Sequence, residues 1–300
     1  MKNLVQIVFL IWIATACDTI AYKDARIAPV VVPVDTTKQD TLNGIDFEQK
    51  IFLEDYTGHT CGNCPYAATE AKRLIAQYGG KVIVMAIHVG NFALPSLNPN
   101  KISYKADFRT AVGNSLDQKF KASDGGLPKG TINRKKFTSS QAVSVLNFTE
   151  WATRISQSAA LPGNSVGIKI EKTFNRSTRV IDLKAKTVFK SGFSGNIRMA
   201  TYLVEDKIIN WQKFYPTPTV TIDSARYEHN HLLRAALAPK NGNYALSASN
   251  LYVANQSIET EWQGVLPEGV LPENSKIIFV LTNLETEEVI QVSEEDLLAK

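Results

Sequence analysis

Two cysteines, Cys61 and Cys64, stand where an apolar strand gives way to an amphipathic helix, and this placement constrains the chain more than any other feature. Ile51 to Tyr56 is a short apolar and aromatic run that suits a buried strand, broken by Thr57-Gly58. Beyond Cys61-Gly-Asn-Cys64, residues Ala67, Ala71, Leu74, Ile75 and Tyr78 recur at helical spacing, with Glu70, Lys72, Arg73 and Gln77 opposite them. Pro65 falls in the first turn, where a missing N–H is harmless, and Gly79-Gly80 supplies a left-handed stop. Val82 to Ile87 is then continuously apolar, as a strand buried on both faces requires. Strand, helix and strand this close together make a βαβ unit with a right-handed crossover, and the cysteines fall at its strand-to-helix turn.

That position loads the pair chemically. Cys61 is expected to face backbone N–H groups and the positive end of the helix dipole, which favours thiolate and nucleophilic attack. Cys64, one turn on and deeper, is placed to resolve a mixed disulfide. Zinc is the rival reading, but it normally takes four ligands and there is no second cysteine pair for it. His59 and His88 would complete such a site only by an accident of folding. His229 and His231, on one face if in a strand, lack a nearby third ligand and read as packing or solvent-facing residues. No metal and no cofactor is expected.

The first sixteen residues read as a signal peptide: Lys2, an apolar run from Leu4 to Ile13, then the small residues Ala14-Thr-Ala16. The run falls short of the ~20 residues that span a bilayer. Cys17 follows directly, where bacterial lipoproteins carry the lipidated cysteine. Ala14-x-Ala16 also suits the ordinary signal peptidase, which leaves a plain secreted protein as the alternative. With Cys17 committed to lipid, Cys61 and Cys64 are the remaining two of three cysteines, in an oxidising compartment where disulfides persist. Residues 17–44, rich in Asp, Thr, Pro and Val, read as a lipid-anchored linker. A formal charge of +4 with scattered basic residues excludes nothing strongly but gives no reason to expect nucleic acid, and Arg134-Lys-Lys136 reads as a solvated turn.

Further along, residues 91–100 read as a loop, Ile102 to Phe120 as a helix, Thr131-Ile-Asn133 as a strand, and Asn147-Phe-Thr-Glu150 as a capping box opening a helix to about Ala160. From Pro162 onward the period becomes two: Val166, Ile168 and Ile170 alternate with polar neighbours or glycine, as do Ile181, Leu183 and Ala185. The 300 residues therefore divide into an α/β domain over 45–160 and a mainly antiparallel β domain, sandwich-like, over 161–300.

The order strand, Cys61-x-x-Cys64, helix, strand, Leu127-Pro128 resembles thioredoxin. That resemblance implies a cis Pro128 beside the cysteines, a Leu127 backbone that pairs with substrate, and a buried acid at Asp55, six residues before Cys61, for which Glu54 competes. Thr60 replaces the usual Trp, so the redox direction stays open, and His59 reads as an exposed loop residue. More of the chain, through Leu53-Glu-Asp-Tyr-Thr-Gly58, Cys61-Gly-Asn-Cys-Pro65, Tyr202-Leu-Val-Glu-Asp206 and Tyr227-Glu-His-Asn-His-Leu-Leu-Arg234, resembles the twenty-eight-kilodalton outer-membrane lipoprotein family. This implies a thioredoxin-like N-terminal part, a β C-terminal part, an outer-membrane location and adhesin or receptor roles. The expected activity is thiol-disulfide exchange with protein thiols or disulfides of the envelope; the alternative is an adhesin or receptor in which the disulfide is structural.

Overall fold

The computed structural model of the chain describes residues 45–138, 142–161 and 163–299, so the expectations placed on residues 1–44, Cys17 included, lie outside the described residues. The first strand, β1 (Ile51–Thr57), is buried along its whole length. Its alternation sends Phe52 and Tyr56 into a core with Met85, Tyr202 and Ile278, and Ile51 and Leu53 into a second core with Ala67, Ala71 and Leu74. The latter three come from α1 (Cys64–Tyr78), which closes at Gly79, whose φ of 55° lets its N–H reach Ile75 O at 3.0 Å. β2 (Val82–His88) runs parallel to β1, in register from Ile51↔Val82 to Thr57↔His88.

The helix expected over 102–120 is shorter: α2 spans Ala111–Phe120. The reason is local. Thr110 caps it, its Oγ1 accepting from Gly113 N at 3.0 Å, and Ile102, 81% exposed, has no core to face. The Leu127–Pro128 peptide is cis. It leads into β3 (Lys129–Ile132), which pairs antiparallel with β1 and sets Asp55 opposite Gly130. The Asn147/Glu150 capping box forms, and α3 (Trp151–Ala159) follows.

The rest is β structure: β4 (Val166–Phe174), β5 (Val180–Phe189), β6 (Phe193–Ser194), β7 (Ile197–Glu205), β8 (Ile208–Thr217), β9 (Val220–His229), β10 (Leu232–Pro239), β11 (Leu251–Tyr252), β12 (Ser257–Val265), β13 (Ser275–Asn283) and β14 (Val289–Asp296). The main order is β14-β13-β7-β10-β12-β5-β4, antiparallel throughout, around a core that includes Ile181, Leu183, Phe189, Leu203, Trp262 and Phe279. The fold is thus dominated by β structure with few helices. The boundary expected at 160/161 falls between α3 and β4, and the sheet runs on across it. β2 pairs with β10 at Ala86↔Leu232, and Ala86 N donates to His231 O at 2.8 Å. Two pairs lie outside the main sheet: β6 with β11, and β8 with β9, which form a separate hairpin.

Candidate functional site

Cys61 and Cys64 form a disulfide with their Cα atoms 5.4 Å apart. Its turn is tight: Cys61 N donates to Gly58 O at 3.0 Å, Cys64 N to Cys61 O at 3.3 Å, and Tyr66 N to Asn63 O at 3.1 Å. Pro65 has no N–H to offer. The first-turn amides expected to stabilise a Cys61 thiolate are therefore largely used by the turn itself, leaving the helix dipole as the main influence. Nor does the expected difference in depth exist, since Cys61 and Cys64 are 2% and 3% exposed.

The cover over this turn is the β8–β9 hairpin. Lys213 N donates to His59 O at 2.8 Å and Tyr215 N to Gly62 O at 2.9 Å, a strand-like pattern laid along the 59–62 segment. The buried Gln212 donates its Nε2 to Cys61 O at 2.9 Å. The Tyr66 hydroxyl reaches Tyr215 O at 3.0 Å. Asp223, on β9, is held by Lys213 Nζ at 2.9 Å and by the Tyr104 hydroxyl. Sequence reasoning missed this hairpin because its outer positions are exposed and its apolar alternation is weak; the pattern around Tyr215-Pro-Thr-Pro218 gave no strand signal.

The two acids between which the sequence could not choose stand side by side on β1. Glu54 points to one face of β1, where Arg134 grips it at 2.7 and 2.9 Å and Thr131 Oγ1 donates to it at 2.7 Å. Asp55 points to the other face, is 3% exposed, and has no partner for its Oδ1. Burial pushes its carboxyl up to about 7. Leu127 packs partly buried against the Phe52 and Tyr56 core. Pro128 leads into β3, whose Gly130 is the register partner of Asp55.

The histidines also differ from expectation. His59 is buried rather than exposed, its Nε2 lies 3.1 Å from Leu94 O, and burial lowers its pKa. His88, on β2, has no partner for either nitrogen, and burial, then the neighbouring His229 and His59, hold it well below the usual imidazole range. The His88 and His229 rings stand 5.6 Å apart, edge to face. His229 is pushed down to about 4 by burial, and its Nε2 is unpartnered. His231 does not share a strand face with His229, because it has φ 57° between β9 and β10; its Nδ1 lies 3.3 Å from Asp206 Oδ1. No group of three metal-ligating side chains converges among the described residues.

Asp55, Cys64, His88 and His229 share the wall of one cavity of about 510 Å³ between α1, β2 and the 227–231 segment. Cys61 does not line it. Away from the cavity wall, two of the sequence stretches singled out above also meet each other, since Leu232 pairs with Glu205 and Arg234 Nε lies 3.3 Å from Glu205 Oε2.

A search of curated protein sequences finds no match. Among solved structures, HBP35 of Porphyromonas gingivalis is similar in fold, with TM-score 0.55 and 14% identity over 84% of this chain and 76% of that one. A structural-genomics protein of Agrobacterium tumefaciens overlaps at TM-score 0.45 and 11% identity, over 84% of this chain and 96% of that one. A domain of the outer membrane lipoprotein Omp28 from Porphyromonas gingivalis overlaps at TM-score 0.28 and 20% identity, over 45% of this chain and 88% of that one. The family profile described as outer membrane protein Omp28 matches residues 113–298, which is more than half of the sequence, and the chain accordingly belongs to the Omp28 family of outer membrane proteins.

Proposed function

We propose that this Omp28-family protein is an outer-membrane lipoprotein, anchored through Cys17, whose residues 45–160 form a thioredoxin-like unit that exchanges disulfides with envelope proteins through Cys61 and Cys64. The observation that carries the reading is the disulfide at the start of α1 with an unpartnered carboxyl, Asp55, sharing a cavity with Cys64. A carboxyl poised near neutrality can accept and return a proton within one turnover. A partner thiolate attacks one sulfur of the pair, the Cys61–Cys64 bond breaks, and the displaced sulfur is protonated. A second partner thiolate then attacks the mixed disulfide and releases the pair as a dithiol, so two electrons and two protons have moved to it. Run backwards, the same steps reduce a partner disulfide. Asp55 is the group that exchanges the Cys64 proton, and the backbone at Leu127, next to the cis Pro128, is where an extended partner segment pairs.

A second reading is favoured by one specific observation: the β8–β9 hairpin already occupies the surface of the turn. In that reading the protein is an adhesin or receptor and the disulfide is structural. The reduction potential separates the two. A value between about −270 and −120 mV supports exchange, and one far below about −300 mV supports a structural bond.

A further inference from the structure

The disulfide has a closed side and an open side. On the Cys61 side, the backbone of Lys213 and Tyr215 and the side chain of Gln212 are bonded to residues 59–62. On the Cys64 side lies the cavity. Its floor is formed by buried groups, Asp55, Cys64, His88 and His229. Three of these carry polar atoms with no partner: Asp55 Oδ1, both nitrogens of His88, and His229 Nε2. Unpartnered buried polar atoms lose free energy unless something hydrogen-bonds to them, so a cavity lined by several is suited to a polar occupant. The exposed residues of its lining are Thr69 and Lys72 on α1 and Glu228 on β9, which form its mouth. One ammonium and one carboxylate thus flank the entrance.

We infer that this cavity binds a small zwitterionic thiol or disulfide of the amino-acid class, such as cysteine or cystine, which exchanges at Cys64 rather than at Cys61. The inference rests on the exchange reading above and names its access route. Lys72 meets the ligand carboxylate, Glu228 its ammonium, and the sulfur reaches the floor. In the reduced protein the Cys64 thiol gives its proton to the Asp55 carboxylate, and its sulfur attacks one sulfur of cystine. The cystine S–S bond breaks, and one cysteine thiolate leaves with the proton that Asp55 returns. The Cys61 thiol then loses its proton as its sulfur attacks Cys64 Sγ, the mixed disulfide breaks, and the second cysteine departs carrying that proton. The protein dithiol is oxidised and one cystine is reduced to two cysteines. The cavity volume, about 510 Å³, is in the range of small-molecule sites and too small for a folded partner.

The test uses the full chain carrying single thiols, Cys61→Ser to leave Cys64 and Cys64→Ser to leave Cys61, treated with L-cystine and followed by intact mass. The Cys64 thiol is expected to be cysteinylated at least tenfold faster than the Cys61 thiol. In the Cys61→Ser background, Lys72→Glu is a surface change that leaves folding aside. It is expected to lower the ratio of the rate with L-cystine to the rate with the neutral 2-hydroxyethyl disulfide at least threefold. A Cys61 thiol that reacts as fast as or faster than Cys64, or an unchanged ratio, would overturn this site while leaving exchange through the pair intact. Single-thiol proteins inert to both disulfides would overturn the exchange reading and this one together.

Discussion

The ring of Tyr215 fills the space into which a side chain at Gly62 would project: a Cβ there would lie 2.2 Å from Tyr215 Cδ2 and 2.4 Å from Cγ. The two residues are also joined by the Tyr215 N–H to Gly62 O bond of 2.9 Å. The glycine inside the cysteine motif is therefore required by a hairpin that lies 150 residues further along the chain. Gly62→Ala should push the hairpin off the turn at a loss of about 1–3 kcal/mol in stability, the usual effect of overpacking a tight contact. It should also raise the rate at which dithiothreitol reduces the Cys61–Cys64 bond at least fivefold, read by quench-and-label mass spectrometry. Tyr215→Ala should raise it similarly without the steric strain. If neither variant changes the rate, the hairpin does not control access.

Asp55 predicts a pH signature. Its carboxyl is at about 7 in the folded protein against about 3.9 in an unfolded chain. Between these values the folded state holds a proton that the unfolded state has lost, so rising pH favours unfolding and this group's stabilisation falls through pH 4 to 7. The buried neutral His88 and His229 act oppositely, since their folded values lie below the unfolded one and their contribution rises up to about pH 6.5. Comparing Asp55→Asn with the parent isolates the acid. The stability difference should move in favour of the Asn variant by about 1.4 kcal/mol per pH unit from pH 4 to 7, then stay constant. Urea melts at a series of pH values measure it, and a flat difference would show that Asp55 is ionised throughout.

Glu54 and Arg134 are 0% and 5% exposed and form a buried ion pair at 2.7 Å. Arg134→Met removes one partner and leaves a buried carboxylate, a change that costs about 3–5 kcal/mol. Changing both, with Glu54→Gln beside Arg134→Met, should recover a large part of that loss, because no charge remains to be desolvated. Equal destabilisation by the single and double variants in urea would mean that packing of the Arg134 stem, rather than its charge, matters.

Much of the local structure was legible in residue spacing, for identifiable reasons. The period of α1, the Gly79 stop and the unbroken apolar run of β2 are short-range signals, and each element lies where its pattern places it. The capping box at Asn147 and Glu150 is a four-residue signal and was equally readable. Long-range relations were not. The choice between Glu54 and Asp55 depends on Arg134, eighty residues away, which takes Glu54 and leaves Asp55 alone. The burial of His59 depends on Leu94, Tyr104 and Phe108 folding over it. The β8–β9 hairpin buries little of its own surface, so its sequence had no periodicity to show, yet it decides which face of the disulfide is open.

Residues 45–160 and 161–300 differ in hydrophobic period, and dissection tests whether that difference makes them separate folding units. Among the described residues, several kinds of contact cross the boundary at 160/161. Phe52, Tyr56 and Met85 share a core with Tyr202, Val204 and Ile278. Backbone bonds join Ala86 to His231 at 2.8 Å and Val289 to Asn133 at 2.9 Å. The β8–β9 hairpin lies on the cysteine turn. Each large apolar side chain exposed by cutting loses about 1.5–3 kcal/mol, so six of them lose about 9–18 kcal/mol, comparable to the whole 5–15 kcal/mol by which a typical domain is stable. Either fragment alone should therefore lack a cooperative thermal melt and bind hydrophobic dyes. The two co-expressed should copurify as a complex with one cooperative transition. A 45–160 fragment that melts cooperatively by itself, with mixed helix and strand circular dichroism, would show instead that the period change marks a true domain boundary.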